Sequence, residues 1–191
     1  MKRNNSGQIR IIAGKWRGRK LPVADSPGLR PTTDRTKETL FNWLMPYLHQ
    51  EMRCLDLFTG SGGLALEALS RGVAHVTMVE KEPAIVKTLK HIQRTLGCQD
   101  PELAIVKQEA LRFLAASAPQ QPYDLVFLDP PFGIGLLQPC IESLLANNWL
   151  AEDALIYIEH ESSLDLSIPT SFTEIKSKNT KQVSYRLLSL D

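Results

Sequence analysis

The sequence has few cysteines, no long apolar run and no secretory leader. Its three cysteines, Cys54, Cys98 and Cys140, lie far apart and form no CxxC pair. This spacing argues against a disulfide framework or a zinc site and is typical of a reducing compartment. No apolar run approaches the ~20 residues that a membrane span needs, and the start MKRNNSGQIR lacks an apolar signal core. We therefore expect a cytoplasmic protein with no membrane partner and no metal.

The charge of the chain is unevenly distributed. The 191 residues are 43% hydrophobic and 23% charged, which predicts a globular protein with a substantial core. Residues 1–30 carry a charge of +7 and the remaining residues carry −6. A basic end on an acidic body favours a polyanionic partner, with a solvated basic tail as the alternative. We assign residues 1–30 to a basic N-terminal extension and residues 31–191 to one main domain.

The N-terminal extension has the pattern of a β-hairpin, and a helix follows it. In IRIIAGKWRGRKLPV, two short β-prone runs flank a turn between Gly14 and Gly18. The turn is basic, so the hairpin would carry a basic tip. Further on, Thr33 is a good N-cap for a helix that extends to about Met45.

From Cys54 onward, strands and helices alternate. CLDLF, HVTMVE, LAIVKQ, YDLVFL and ALIYIEHE read as strands with helices between them, which predicts a parallel sheet covered on both faces. FTEIKSKN and QVSYRLLSL have no helix between them. They are therefore predicted to form an antiparallel hairpin at the sheet edge, in an α/β, Rossmann-like fold.

Two features at the carboxyl ends of the first two sheet strands predict a nucleoside site. Gly60 and Gly62 allow a tight strand-to-helix turn that approaches a ligand closely, although a ligand-free turn is the alternative. Glu80 ends the second strand, where an acid can accept hydrogen bonds from ribose hydroxyls. The pattern Gly60-x-Gly62-x-x-Ala65 also satisfies a loose dinucleotide fingerprint, so these features alone do not identify the nucleoside.

Two further acids narrow the choice of ligand. Glu109 and the Ala110 backbone follow the third strand and could read an adenine edge, or Glu109 could simply start a helix. Asp56 lies four residues before Gly60. A carboxylate there would repel a pyrophosphate but attract a sulfonium and its α-amino group. This favours S-adenosylmethionine over NAD.

The stretch YDLVFLDPPFG ends a strand on a carboxylate that is followed by two prolines. Proline fixes its own φ and pushes the preceding residue toward extended geometry, so Asp129 and Pro130 are both held extended. An exocyclic amino group on a base is a poor nucleophile, because its lone pair is delocalised into the ring. Asp129 and a proline carbonyl can accept its N–H hydrogens and aim the lone pair, while Phe132 stacks on an extruded base.

Taken together, these motifs resemble a known family. The order DLFTGSGG, VE, EAL, DPPF is similar to that of class I S-adenosylmethionine-dependent amino-methyltransferases. RIIAGKWRGRKL and LRPTTDRTKETLFNWL resemble more specifically the RsmD family, whose members methylate N2 of one guanine in bacterial 16S rRNA. The resemblance extends from Ile9 to Leu188. It implies a seven-stranded methyltransferase sheet and, as partner, 16S rRNA in a partly or fully assembled small ribosomal subunit. Glu109 departs from the family, since many methyltransferases have Asp there.

The predicted site has three parts. The donor-binding residues are Asp56, Phe58, Gly60, Ser61, Gly62, Glu80, Lys81, Glu109 and Ala110. The catalytic residues are Asp129, Pro130, Pro131 and Phe132. The RNA-binding residues are Lys15, Trp16, Arg17, Arg19, Lys20, Arg30 and Arg35.

Some roles within the predicted site stay open. Trp16 is expected either to stack on a base or to pack the hairpin onto the body. We expect the hairpin tip to lie beside the cleft. Arg30, Thr33 and Arg35 could contact the donor or the RNA, or only start a helix. We expect a monomer.

Several alternatives remain at this stage. Methylation of adenine N6 or cytosine N4 would use the same DPPF strip, Asp129 to Phe132, because each target is an amino group beside a ring nitrogen. A nicotinamide-dependent oxidoreductase explains the glycines but not Asp56 or the DPPF strip, and a non-catalytic RNA-binding protein does not explain the intact carboxylate. The four histidines do not cluster. Glu159 and His160 end the fifth strand near the cleft.

Overall fold

A computed structural model describes residues 7–29, 31–116 and 118–191. The strands are β1 (Gln8–Arg10), β2 (Lys20–Pro22), β3 (Arg53–Asp56), β4 (His75–Glu80), β5 (Leu103–Lys107), β6 (Tyr123–Leu128), β7 (Leu150–Glu161), β8 (Phe172–Asn179) and β9 (Val183–Leu190). The helices are α1 (Asp34–Leu44), α2 (Gly63–Ser70), α3 (Pro83–Leu96), α4 (Ala110–Leu114) and α5 (Leu137–Ala146). A short 3₁₀ turn spans Gly14–Trp16.

Seven strands form the central sheet in the order β5-β4-β3-β6-β7-β9-β8. Strands β3 to β7 are parallel, and β9 runs antiparallel to both β7 and β8. The predicted α/β fold and its antiparallel C-terminal hairpin are therefore confirmed. Because β3 and β6 are neighbours, the glycine turn and the DPPF strip lie at the same edge of the sheet.

Helices cover both faces of the sheet, as the alternating pattern predicts. Apolar residues from the first three helices and the hairpin pack on one face, and those from α4 and α5 pack on the other. Helix α3 shows how local sequence sets these elements. Pro83 begins it, Ile85, Val86, Leu89 and Ile92 are its buried stripe, and Gly97 ends it at φ +70°.

Helix α1 begins where the cap residue predicts. The Thr33 side chain accepts a hydrogen bond from the Thr36 N–H at 3.2 Å, which satisfies one of the unpaired donors of the first turn. Leu40, Phe41 and Leu44 are buried against the sheet. No helix in the described part of the chain is both long enough and apolar enough to span a bilayer.

Strands β1 and β2 form the predicted antiparallel hairpin, and it is fastened to α2 by polar contacts. The buried Glu67 carboxylate accepts the Ile12 N–H at 2.7 Å, the Ala13 N–H at 3.0 Å and the Arg71 Nε–H at 2.8 Å. Gly14 has φ +79°, and a Cβ atom there would lie 1.8 Å from the Ser70 carbonyl oxygen. The chain therefore needs glycine at this close approach.

Trp16 packs the hairpin onto the body. Its side chain is only 7% exposed, and its backbone N–H donates to Ser70 Oγ at 3.0 Å. Lys15 Nζ lies 4.3 Å from the centre of the indole ring. Of the two roles expected for Trp16, the structure therefore has the packing role.

The hairpin tip lies at the amino-terminal edge of the sheet. Lys15 Nζ pairs with Glu102 Oε1 at 3.1 Å, and Glu102 immediately precedes β5. Ser70, the other contact of the tip, ends α2. The DPPF strip follows β6 at the opposite, carboxyl edge, so the prediction that the tip lies beside the cleft is wrong. The physical reason is the Glu67 anchor, which lays the hairpin along α2 with its tip toward the C-terminal end of that helix.

Candidate active site

The predicted site residues meet at the carboxyl edge of the sheet because of strand register. Asp56 pairs with Phe127 across β3 and β6, and Leu128 pairs with Ile158 across β6 and β7. The next position on each of these last two strands is an acid, Asp129 and Glu159. Neighbouring strands lie about 4.8 Å apart and side chains alternate between the faces, so the two carboxyl groups stand side by side on one face.

The glycine turn is tied to Glu80 by backbone hydrogen bonds. The Gly60 N–H donates to Glu80 Oε2 at 3.0 Å, and the Glu82 N–H donates to Glu80 Oε1 at 2.8 Å. Gly60 has φ +50°, and a Cβ atom there would lie 2.9 Å from Leu29 Cδ1, so the turn is close-fitting. Each Glu80 oxygen keeps a lone pair, so a fixed carboxylate with free acceptor capacity stands beside the turn.

The carboxyl group of Asp56 is buried and weakly hydrogen-bonded. It is 3% exposed, and its Oδ1 accepts a long hydrogen bond of 3.4 Å from the Phe58 N–H. Burial raises the pKa of Asp56 to about 7, Glu80 adds to the rise, and backbone hydrogen bonds oppose it. A cationic ligand would offset the free-energy cost of burying the ionised carboxylate, because an opposite charge favours the ionised acid.

The other predicted donor residues differ in exposure, and one of them caps a helix. Ser61 is buried, Phe58 is half-buried and Lys81 is exposed. Glu109 caps α4, since its carboxylate accepts the Leu111 N–H at 3.1 Å and the Arg112 N–H at 2.9 Å. The helix-start role expected as an alternative for Glu109 is therefore present in the structure.

The residues of the DPPF strip, Asp129 to Phe132, differ in how far they are exposed. Asp129 is half-buried, Pro130 is buried and Pro131 is exposed. Phe132 projects from the edge with 45% of its surface exposed. The Gly133 N–H donates to Glu161 Oε1 at 2.9 Å, which fastens the end of the strip to the end of β7.

Asp129 and Glu159 form a pair of acids that the sequence motifs did not identify as a pair. Burial raises the pKa of Asp129 well above its usual range, and the nearby Glu159 and Asp56 add to the rise. Burial also raises the pKa of Glu159, while a hydrogen bond from the Tyr157 hydroxyl, 3.2 Å from Oε2, opposes the rise. His160 follows Glu159 in β7 and therefore lies on the other face of the sheet.

A cavity of about 320 Å³ opens beside this pair, between α1 and the β7–β9–β8 part of the sheet. It is lined by Thr33, Arg35, Thr36, Thr39, Leu40, Trp43, Tyr157, Lys178, Thr180 and Tyr185. The sequence identified Thr33 and Arg35 as candidates, and both reach this cavity. It missed Tyr157, Tyr185 and Lys178, which meet only through the pairing of β7, β8 and β9.

The predicted RNA-binding residues do not form one cluster. Arg17, Arg19 and Lys20 are exposed on the hairpin, whose tip lies at the far edge from the strip, whereas Arg35 lines the cavity. Arg30 lies outside the described residues. Among the described residues, no group of three or more His, Cys, Asp or Glu side chains is arranged to hold a metal ion.

The fold and the site together define a class of protein. A sheet of this strand order, with a glycine turn after β3, an acid at the end of β4 and a DPPF strip after β6, is that of a class I methyltransferase. A family model described as "Conserved hypothetical protein 95" matches residues 9–189. The chain belongs to this family, which confirms the resemblance to RsmD proteins.

Curated relatives and solved structures agree with this assignment. The chain is 51% identical over 184 residues to "Ribosomal RNA small subunit methyltransferase D" of Haemophilus influenzae, covering 96% of this chain and 95% of the relative. It is 49% identical to the protein of that name from Escherichia coli K12, covering 96% and 91%. The solved structure of yhhF from Escherichia coli, named as a candidate methyltransferase, has a TM-score of 0.89 at 46% identity and covers 97% of this chain and 99% of its own.

Proposed function

We propose that this protein transfers a methyl group from S-adenosylmethionine to the exocyclic N2 amino group of one guanine in 16S rRNA. The observation that carries the proposal is the side-by-side placement of the glycine turn and the DPPF strip on neighbouring strands β3 and β6. The names of the relatives, which share about half of their residues with this chain, support rRNA of the small subunit as the substrate.

The residues at the glycine turn suit this donor. Glu80 is held by two backbone N–H groups and keeps acceptor capacity for two ribose hydroxyls. Asp56 is buried with a raised pKa, so a cation is favoured and a pyrophosphate is disfavoured beside it. Ala110 begins α4, shortly after β5, where its backbone and the remaining Glu109 lone pairs would face the adenine.

The remaining predicted residues complete this donor site. Gly60, Ser61 and Gly62 form the turn, with Phe58 before it and Lys81 after β4. We propose that the turn backbone follows the donor closely, because the positive φ angles of Gly60 and Gly62 let the chain turn tightly after β3.

The strip holds and activates the target amine. When bound, S-adenosylmethionine would supply an electrophilic methyl group: the lone pair of the target nitrogen forms the new N–C bond, and the electron pair of the broken S–C bond stays on sulfur. Asp129 and the Pro130 carbonyl accept the N–H hydrogens and localise the nitrogen lone pair. Asp129 or water then takes the proton that the amine loses. Pro131 stiffens the strip, and the exposed Phe132 ring stacks on the extruded base.

Basic residues at two places are proposed to bind the rRNA backbone. Arg35 lines the cavity beside Asp129 and would contact phosphates near the target nucleotide. Arg17, Arg19 and Lys20 are exposed on the hairpin and would contact a more distant part of a large substrate, as a partly or fully assembled small subunit is. We propose that the enzyme acts as a monomer in the cytoplasm.

Nucleoside analysis of rRNA tests the proposal directly. Mass spectrometry of 16S rRNA from a strain lacking the protein should show one N2-methylguanosine fewer, and the purified protein should restore it on small subunits. Asp129→Ala should remove most methyl transfer and leave donor affinity nearly unchanged, because its loss falls on the chemical step. Loss of N6-methyladenosine or N4-methylcytidine instead would overturn the guanine assignment, and near wild-type turnover by the variant would overturn the role of Asp129.

A further inference from the structure

Glu159 stands where a second group on the target base would meet it. It is the neighbour of Asp129 across β6 and β7, one position beyond the Leu128–Ile158 pair. It also pairs with Tyr185 of β9 on its other side. The carboxylate is half-buried, and its two neighbours Tyr157 and Tyr185 line the cavity, so it stands next to the space beside the strip.

The hydrogen bonding of Glu159 prepares it as an acceptor. The Tyr157 hydroxyl donates to Glu159 Oε2 at 3.2 Å and so favours the ionised carboxylate. The acidic and phenolic groups around it are Asp129, Tyr157 and Tyr185. Burial raises the pKa of both Asp129 and Glu159, and hydrogen-bond donors on a bound base would favour the ionised form of both acids. Glu159 is then an acceptor with one oxygen left for a ligand.

The possible target bases differ at the ring atom beside the amino group. In guanine, the N1 atom next to the N2 amino group carries a hydrogen and is a donor. In adenine and cytosine, the ring nitrogen next to the amino group is an acceptor. An ionised carboxylate beside Asp129 therefore complements guanine and repels the lone pair of the other two bases.

We propose that Glu159 selects guanine by accepting the hydrogen bond of the ring N1–H, while Asp129 and Pro130 hold the neighbouring N2 amino group. This inference rests on the proposed methyl transfer at Asp129 and extends it to the choice of base. It assigns Glu159 a specificity role that Asp129 and Pro130 cannot fill, because they contact only the amino group that all three bases share.

The test uses a base that keeps the amino group and loses the N1 hydrogen. In 2-aminopurine the exocyclic 2-amino group is present, but N1 is an acceptor. The target guanine is first located by mass spectrometry, and small subunits are then assembled with guanine or 2-aminopurine at that nucleotide. For the wild type, kcat/KM should be about ten- to a hundredfold lower on 2-aminopurine, since a hydrogen bond to a charged acceptor is lost.

Glu159→Gln supplies the matched variant. The amide oxygen can still accept from Tyr157, and the amide nitrogen can donate to the N1 acceptor of 2-aminopurine. The ratio of kcat/KM for guanine over 2-aminopurine should therefore fall toward one or reverse. 2-Aminopurine also lacks the 6-oxygen of guanine, but this loss affects the wild type and the variant equally. The change in the ratio therefore reports only the contact to N1. Asp129→Asn should lower turnover on both bases and leave the ratio unchanged.

The outcomes separate the two proposals. Donor titration by calorimetry should give the same affinity for the wild type and Glu159→Gln, which also shows that the variant is folded. A wild type that methylates both bases equally well overturns the selecting role of Glu159 without using any variant. An unchanged ratio in Glu159→Gln overturns it as well. If the wild type methylates no guanine at all, the proposed methyl transfer fails instead.

Discussion

Donor affinity should depend on pH through Asp56. In the free protein, burial raises the pKa of this carboxyl to about 7, so it is about half protonated at pH 7. A cationic donor close by would lower that pKa by about 1–3 units, and donor binding would release the proton. Affinity should therefore be weak at low pH, rise as pH passes through 7 and level off above it.

The size of this effect follows from the pKa. If the bound form is fully ionised, affinity at pH 6 should be about tenfold lower than at pH 8, or about 1.4 kcal/mol. Calorimetric titration at pH 6, 7 and 8 would measure it, and buffers of different ionisation enthalpy would count the released proton. The donor's own α-amino group titrates near pH 8, so Asp56→Asn is the control that carries only this ligand contribution.

The result that would refute this reasoning is specific. If the wild type and Asp56→Asn show the same pH dependence, Asp56 does not change its protonation when the donor binds. If the wild type binds more tightly at pH 6 than at pH 8, the acid does not face a cation, and the choice of S-adenosylmethionine over a pyrophosphate ligand loses its main physical support.

Three further predictions concern other parts of the molecule. Glu80→Ala should weaken donor binding by about 1.5–3 kcal/mol, and calorimetry that finds under 0.5 kcal/mol would contradict its ribose role. Glu67→Ala should lower the free energy of unfolding by about 3–5 kcal/mol, because it leaves Arg71 and two backbone donors unpaired; denaturant unfolding that finds a loss below 1 kcal/mol would contradict the anchor. Changing Arg17 and Arg19 together to Ala should lower the slope of log affinity against log salt by about 1.4–1.8, and an unchanged slope for subunit binding would mean that the hairpin tip contacts no phosphate.

Local rules account for the parts of the fold that the sequence predicted well. The Thr33 cap, the Pro83 start and the Gly97 end of helices act within a few residues, so composition and spacing reveal them. The strands alternate with helices, and this order favours a parallel sheet, in which all of these strands end at the same edge. The turn and the strip thus fall at one edge without any knowledge of side-chain contacts.

The parts that failed or were missed depend on distant pairing. The hairpin was predicted correctly, but its direction depends on the buried Glu67, a helical acid that looks like a surface residue in the sequence. Trp16 is among basic residues, yet its ring is buried against α2. Glu159 gains its neighbour Asp129 only through the register of β6 and β7, and register between strands 30 residues apart leaves no local signal.

The charges at the carboxyl edge explain why the site needs both of its ligands. Burial raises the pKa values of Asp56, Asp129 and Glu159, and the charges of Glu159 and Asp56 raise the pKa of Asp129 further. Three acids in one partly dry cleft are unfavourable unless positive charge or hydrogen-bond donors meet them. In the proposed reaction, a cationic methyl donor would provide the first at Asp56, and the N1–H and N2–H edge of guanine would provide the second at Asp129 and Glu159. Each ligand would therefore relieve the free-energy cost of burying these acids. Binding of the donor near Asp56 would also favour an ionised Asp129, which is the form that accepts hydrogens from the amine.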